Sequence, residues 1–91
     1  MIDVPRALRM AAETGDVRFG MRQVRKAVKT KAAKLVVVAS NCPPSLLEGL
    51  RDVRVYRFPG TNVELGASCG VPYSVAALAV LSPGESNILS L

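Results

Sequence analysis

Apolar positions along the chain change period several times, and each change marks an element. Val4, Leu8, Ala11 and Ala12 recur at helical spacing, which predicts a first helix over residues 4–14. Asp3 is placed to cap it, and Pro5 fits the first turn, where its missing N–H costs nothing. Gly15-Asp16 ends it, and Val17-Arg18-Phe19 has room only for a brief strand. Beyond the break at Gly20, Met21, Val24, Ala27 and Val28 form the apolar side of a second helix over 21–31. Its other side carries Arg22, Gln23, Arg25, Lys26 and Lys29.

The run Lys34-Leu35-Val36-Val37-Val38-Ala39 is apolar after its lysine and β-branched at its centre, as a strand covered on both faces should be. Ser40-Asn41-Cys42-Pro43-Pro44 is a sharp polar turn, and Pro44 or Ser45 opens a third helix whose apolar residues are Leu46, Leu47 and Leu50. Val53 to Phe58 is a second long strand, but Arg54 and Arg57 interrupt its alternation and move it towards a sheet edge. After the Pro59-Gly60 turn, Thr61 or Asn62 caps a fourth helix over 62–69 that stops at Gly70. Val71-Pro72-Tyr73 is extended, and Ala76 to Leu81 is another all-apolar strand. Ser82-Pro83-Gly84-Glu85 starts a last turn that leaves Ile88, Leu89 and Leu91 to dock on the core. Alternating helices and strands, two of them buried on both faces, predict a single-domain α/β fold. The expected architecture is a three-layer α/β/α sandwich around a small mixed sheet, without repeats or linkers.

Composition removes several function classes. With 91 residues there is length for one domain. Histidine is absent, so no Ser–His or Cys–His pair exists to activate a nucleophile. Two cysteines supply half of a four-ligand zinc site, so no metal centre is expected. They are also too few for a disulfide framework, which points to a reducing compartment. No apolar run reaches the ~18 residues of a membrane span. The N-terminus lacks the basic start and apolar stretch of a signal peptide, so a cytoplasmic protein is expected.

Charge is more informative. Residues 1–34 hold nine Lys/Arg against three acids, a net +6, whereas residues 35–91 hold three against four, a net −1. A basic half of this kind favours a polyanionic partner. Three loops, 18–23, 40–44 and 64–73, fall at element junctions, where open α/β sheets bind ligands. Gly20, Met21 and Arg22 offer free N–H groups at a helix start, and Arg22, Arg25 and Lys26 can reach phosphate or guanine. As a solvated face of an amphipathic helix these charges would be unremarked; the charge asymmetry favours RNA. Cys42 as a nucleophile is disfavoured for want of a base, and Asn41 is either a reader of a base edge or a turn former. Gly66-Ala67-Ser68-Cys69-Gly70 lacks the spacing and lysine of a phosphate-binding loop and reads as a helix with a glycine stop. Tyr73 either stacks on an unpaired base or covers the core edge.

Taken together, Val36-Val37-Val38-Ala39-Ser40-Asn41-Cys42-Pro43-Pro44, Phe58-Pro59-Gly60-Thr61-Asn62-Val63-Glu64-Leu65-Gly66 and Ser82-Pro83-Gly84-Glu85-Ser86 resemble the ribosomal protein L30e family. These are large-subunit proteins of archaea and eukaryotes, and the wording is nearest the archaeal members. Ile2-Asp3-Val4-Pro5-Arg6 and Lys26-Ala27-Val28-Lys29 fit as well, so the resemblance covers nearly the whole chain in order. It implies an α/β/α kink-turn RNA binder that recognises a sharply bent internal loop with tandem sheared G·A pairs. The superfamily's first RNA-binding segment falls on Gly20, Arg22, Gln23 and Lys26, its second on Asn41, and its third on Glu64, Leu65, Gly66, Gly70 and Tyr73. With the neighbouring Phe19, Met21, Arg25, Cys42, Pro43, Val71 and Pro72 they make the expected RNA-binding set. Relatives with other kink-turn roles carry Asn-Glu where this chain has Arg22-Gln23, and the basic version is nearer the ribosomal branch. The segment Leu50-Arg51-Asp52-Val53 is several residues shorter than in typical members, so the third helix is expected to be truncated.

The expected function is therefore a non-catalytic, cofactor-free constituent of the large ribosomal subunit. Its partners would be rRNA and neighbouring ribosomal proteins, with no membrane and no small-molecule substrate. A kink-turn protein of a small ribonucleoprotein and a small regulatory α/β domain without RNA are the rival readings. The first is separated from the ribosomal reading only by the RNA it binds, because the fold is shared.

Overall fold

The computed structural model describes residues 3–41 and 53–90. Its elements are α1 (Val4–Thr14), β1 (Asp16–Phe19), α2 (Met21–Lys29), β2 (Leu35–Val38), β3 (Val55–Arg57), α3 (Asn62–Cys69), β4 (Ala77–Ser82) and a closing 3-10 turn (Ile88–Ser90). The expected third helix, the shortened segment behind it, and Cys42 and Pro43 lie outside the described residues, so α3 is the fourth helix of the sequence reading.

Local chemistry sets the helix bounds. The Asp3 carboxylate accepts from the Arg6 N–H at 3.3 Å and starts α1 where expected. Helix α2 ends two residues earlier than its periodicity predicts. The Thr30 hydroxyl donates back to the Lys26 carbonyl at 3.0 Å, Lys31 turns to φ 60°, and the Ala32 N–H returns to Ala27 at 2.8 Å. Helix α3 is capped by Thr61, whose hydroxyl accepts from the Glu64 N–H at 3.3 Å. It stops at Gly70, held at φ 79°, with Gly70 and Val71 donating to the Ala67 and Gly66 carbonyls at 3.1 Å each. That pair of bonds is a Schellman stop.

The four strands form one mixed sheet in the order β1-β4-β2-β3, with β4 antiparallel to both neighbours and β3 parallel to β2. The two all-apolar runs are the central strands, as expected. Leu35, Val37, Leu78 and Val80 join Leu8, Ala11, Leu65, Val75 and Ile88 on the face covered by α1, α3 and the closing turn. Val36, Val38, Ala77 and Ala79 meet Val24 and Ala27 of α2 on the other. Helices on both faces give the three-layer α/β/α arrangement, and burial of each large aliphatic side chain contributes about 1.5–3 kcal/mol. β3 is an edge strand, as its arginines predict, but it spans three residues where six were expected. Among the described residues it pairs only with Val36–Val38.

The motif Ser82–Ser86 has a structural use. Gly84 turns to φ 60°, the Glu85 N–H donates to the Thr14 hydroxyl at 3.0 Å, and the Ser86 hydroxyl donates to the Ala7 carbonyl at 2.6 Å. The C-terminal segment is thereby strapped across α1. Among the described residues no helix is long and apolar enough to cross a membrane.

Candidate nucleic-acid interface

Sheet register decides where the three expected loops lie. Phe19 pairs with Leu78, Val38 with Ala77, and Arg57 with Val38. The carboxyl ends of β1, β2 and β3 and the amino end of β4 therefore share one edge of the sheet. Gly20, Ser40-Asn41, Gly60 and the 71–76 strap all leave from that edge. Backbone bonds lock them together: Gly20 N–H to Ala77 O at 2.9 Å, Ala39 N–H to Ala76 O at 2.8 Å, and Ser40 N–H to Gly60 O at 2.9 Å.

The first segment turns at Gly20, whose φ of 95° and ψ of 152° belong to a region that essentially only glycine occupies. A side chain there would meet nothing within 4 Å, so the requirement is backbone conformation and the surface above it is open. From this turn α2 presents Arg22, Gln23, Arg25 and Lys26, all exposed, while Val24 and Ala27 go into the core. Among the described residues none of these cations is ion-paired. Arg18, Gln23, Lys26 and Thr30 rim a half-open cleft of about 200 Å³ floored by Ala27, Ala32 and Leu81. Arg18 is held there by Asp16 at 3.2 Å.

The second segment contributes Asn41. Its carboxamide reaches the start of α3, where Oδ1 accepts from the Asn62 N–H and Nδ2 donates to Asn62 Oδ1, both at 3.0 Å. Both readings of Asn41 thus have a physical basis. It braces a turn, yet it stays exposed, and among the described residues one N–H and one lone pair of its carboxamide are unspent.

The third segment divides into buried and presented residues. Leu65 is fully buried and Gly66 is covered, so these two position the loop and present no surface of their own. A Cβ on Gly66 would collide with the Tyr73 carbonyl oxygen, which explains the glycine in mid-helix. Gly70, Pro72, Tyr73 and Glu64 are exposed and Val71 half-buried. Tyr73 is 55% exposed while its ring stands edge-on to Phe19, 6.4 Å between centroids at 90°. One contact thus joins the first segment to the third. Phe19 and Met21, half-buried at the junction, support this corner. The Glu64 carboxylate lies 3.5 Å from the Thr61 hydroxyl and belongs to the cap of α3.

Two residues at the site escape sequence reasoning. Asn62 reads there as a possible cap, but Thr61 takes the cap and leaves the Asn62 side chain to Asn41, a partner 21 residues away with no local signal. Val63 is given no role by the sequence pattern, but it is 65% exposed beside Asn62. Among the described residues no three His, Cys, Asp or Glu side chains gather to hold a metal ion. Cys69, the last residue of α3, is buried, and burial pushes its thiol from 9.0 up to about 11, so it stays protonated at neutral pH.

The family model described as "Ribosomal protein L7Ae/L30e/S12e/Gadd45 family" matches residues 3–90. The protein named "Large ribosomal subunit protein eL30" of Methanopyrus kandleri is 45% identical over 96 residues, covering 99% of this chain and 88% of its own. Proteins of the same name from Methanoregula boonei and Pyrobaculum calidifontis are 43% and 42% identical over 93 and 97 residues. They cover 99% and 100% of this chain and 96% of their own length in each case. With the family model matched over residues 3–90 and these relatives over nearly its full length, the chain belongs to the ribosomal protein L7Ae/L30e/S12e/Gadd45 family.

Proposed function

We propose that this chain is a non-catalytic constituent of the large ribosomal subunit that binds and holds a kinked rRNA internal loop built on sheared G·A pairs. The observation that carries the reading is the convergence of a glycine-opened basic helix, an exposed asparagine and an apolar corner on one edge of the sheet. A kink brings phosphates close together, and Arg22, Arg25 and Lys26 lower that repulsion. The N–H groups at the start of α2 and the free edge of Asn41 face bases, which is where sequence is read. Tyr73 and Val71 supply the apolar wall against which an extruded nucleotide stacks. Leu65, Gly66 and Gly70 hold that wall in place. The large-subunit relatives support assembly with rRNA and neighbouring ribosomal proteins.

The test is a gel-shift series at one salt concentration with a kink-turn RNA and a straight duplex of equal length. The kinked RNA should bind much more tightly, and its affinity should fall with salt along a slope of several phosphate contacts. Equal affinity for both RNAs would refute the kink-turn reading and leave only a basic surface.

A further inference from the structure

We infer that Asn62 is a positioning residue that fixes which way the RNA-facing carboxamide of Asn41 points; this rests on the reading that Asn41 contacts a base edge. A free asparagine side chain turns over readily, exchanging its donor and acceptor ends. Here two main-chain N–H groups forbid the exchange. The Asn62 N–H needs an acceptor and finds Asn41 Oδ1 at 3.0 Å. The Val63 N–H needs one as well and finds Asn62 Oδ1 at 3.1 Å. With Asn62 Oδ1 so defined as an acceptor, the group facing it at 3.0 Å must be the Asn41 amide nitrogen. A flipped Asn41 would set NH2 against N–H and oxygen against oxygen. The polarity of Asn41 is therefore written by the first turn of α3.

This has a consequence for recognition. Both members of the carboxamide are engaged by Asn62, which among the described residues leaves one N–H and one lone pair for a ligand. Asn62 takes the edge on which N–H and lone pair stand side by side, so Asn41 is then a single donor to a base oxygen or ring nitrogen, its remaining lone pair lying on the opposite flank of the carboxamide. The two-pronged grip asparagine makes on adenine would require breaking the Asn62 pair. Stability does not explain the arrangement. Thr61 already caps α3, and both asparagine bonds are exposed, where hydrogen bonds contribute little.

The experiment is a double-mutant cycle on RNA affinity, using Asn41→Ala, Asn62→Ala and the double variant. The RNAs are one with sheared G·A pairs and one with Watson–Crick pairs in their place. Asn62→Ala should weaken binding to the sheared-pair RNA about two- to tenfold, the scale of one net hydrogen bond. It should change binding to the other RNA little, and cost nothing further once Asn41 is alanine. Costs that multiply in the double variant, or a wild-type affinity for Asn62→Ala while Asn41→Ala is weakened, would overturn the inference and leave the function intact. Wild-type affinity for Asn41→Ala would instead remove the reading on which it rests. A second readout uses the free protein. Asn62→Asp keeps the oxygen acceptor at a helix start that favours a carboxylate. The Asn41 side-chain amide signals should then stay near their wild-type positions in a nitrogen-edited spectrum, and move towards free-amide positions in Asn62→Ala, which loses the acceptor for Nδ2 and keeps only the main-chain N–H on Oδ1. The same Asn41 signals in wild type and Asn62→Ala would also overturn it.

Discussion

Replacing Gly66 by alanine tests how the apolar corner is held. In a helix interior glycine is about 1 kcal/mol worse than alanine, so propensity alone predicts that Gly66→Ala stabilises the protein. The surroundings predict the opposite. The added Cβ would collide with the Tyr73 carbonyl oxygen and lie 3.2 Å from the Tyr73 carbonyl carbon and 3.4 Å from Ser74 Cα. All three neighbours are main chain, so no side-chain rotation relieves the contact. The strap must move instead, and it is tied at both ends, by Val71 N–H to Gly66 O at 3.1 Å and Val75 N–H to Asn62 O at 2.9 Å. Val75 is itself buried in the core. Overpacking of this kind costs roughly 1–3 kcal/mol, and a weakened strap bond adds about 0.5–1.5 kcal/mol. Set against the helix gain, the net is a destabilisation of about 1–3 kcal/mol. Urea unfolding followed by circular dichroism should show a lower midpoint with an unchanged slope. At a temperature where the variant is fully folded, kink-turn affinity should also fall, because the strap carries Tyr73. A midpoint equal to or above that of wild type would refute the reasoning. The strap would then have slack, and helix propensity would govern the position.

Three other outcomes are expected. Lys26→Ala should weaken binding to kinked RNAs of different sequence by similar factors and make the salt slope shallower by about one unit. Asn41→Ala should cost about 1–3 kcal/mol on RNA with sheared G·A pairs and far less where Watson–Crick pairs replace them, with the salt slope unchanged. Burial raises the Cys69 pKa from 9.0 to about 11, so the folded state favours the neutral thiol. That stabilisation is complete below pH 9.0 and is lost as pH rises towards about 11, and Cys69→Ala should flatten this part of the stability-versus-pH curve.

Elements with strong periodicity were legible in the sequence. α1 and α3 have the predicted bounds because their stops are chemical: Asp3 at one start, Thr61 and Gly70 at the ends of the other. The central strands announce themselves because burial on both faces demands uninterrupted apolar residues, as in Leu35–Val38 and Ala77–Val80. The end of α2 was misjudged because Lys31, an ordinary helix former, is driven to a positive φ by the return of the chain into β2. β3 is shorter than its sequence pattern predicts because pairing, which depends on its neighbour's length, decides its extent. At the site, family resemblance supplied the positions while the structure supplies their division of labour. Nothing in the pattern separates buried Leu65 from exposed Val63, two residues apart on one short helix. The partnership of Asn41 with Asn62 is a tertiary fact without a periodic trace.

On the proposed function, the way the corner is built ties RNA binding to folding. Its groups come from stretches separated by tens of residues, and each is attached to the same sheet edge by a backbone bond to β4 or its approach. Gly20 bonds to Ala77, Ala39 to Ala76, and α3 to Val75 through the Asn62 carbonyl. The segment 71–77 is therefore common to all three loops. Loosening it disorders the basic helix start, the asparagine and the apolar wall together, whereas loosening the Thr14–Glu85 strap at the opposite edge leaves them attached. Binding energy follows the same route in reverse. An RNA that engages all three loops holds 71–77 in place and stabilises the fold by mass action. An RNA that engages only the basic face of α2 leaves that segment free. Protection of the Ala39 and Val75 amides from hydrogen exchange should accordingly rise with a kink-turn RNA and not with a straight duplex bound to equal saturation. Equal protection by both would mean that the loops act separately and that the shared edge is a matter of folding alone.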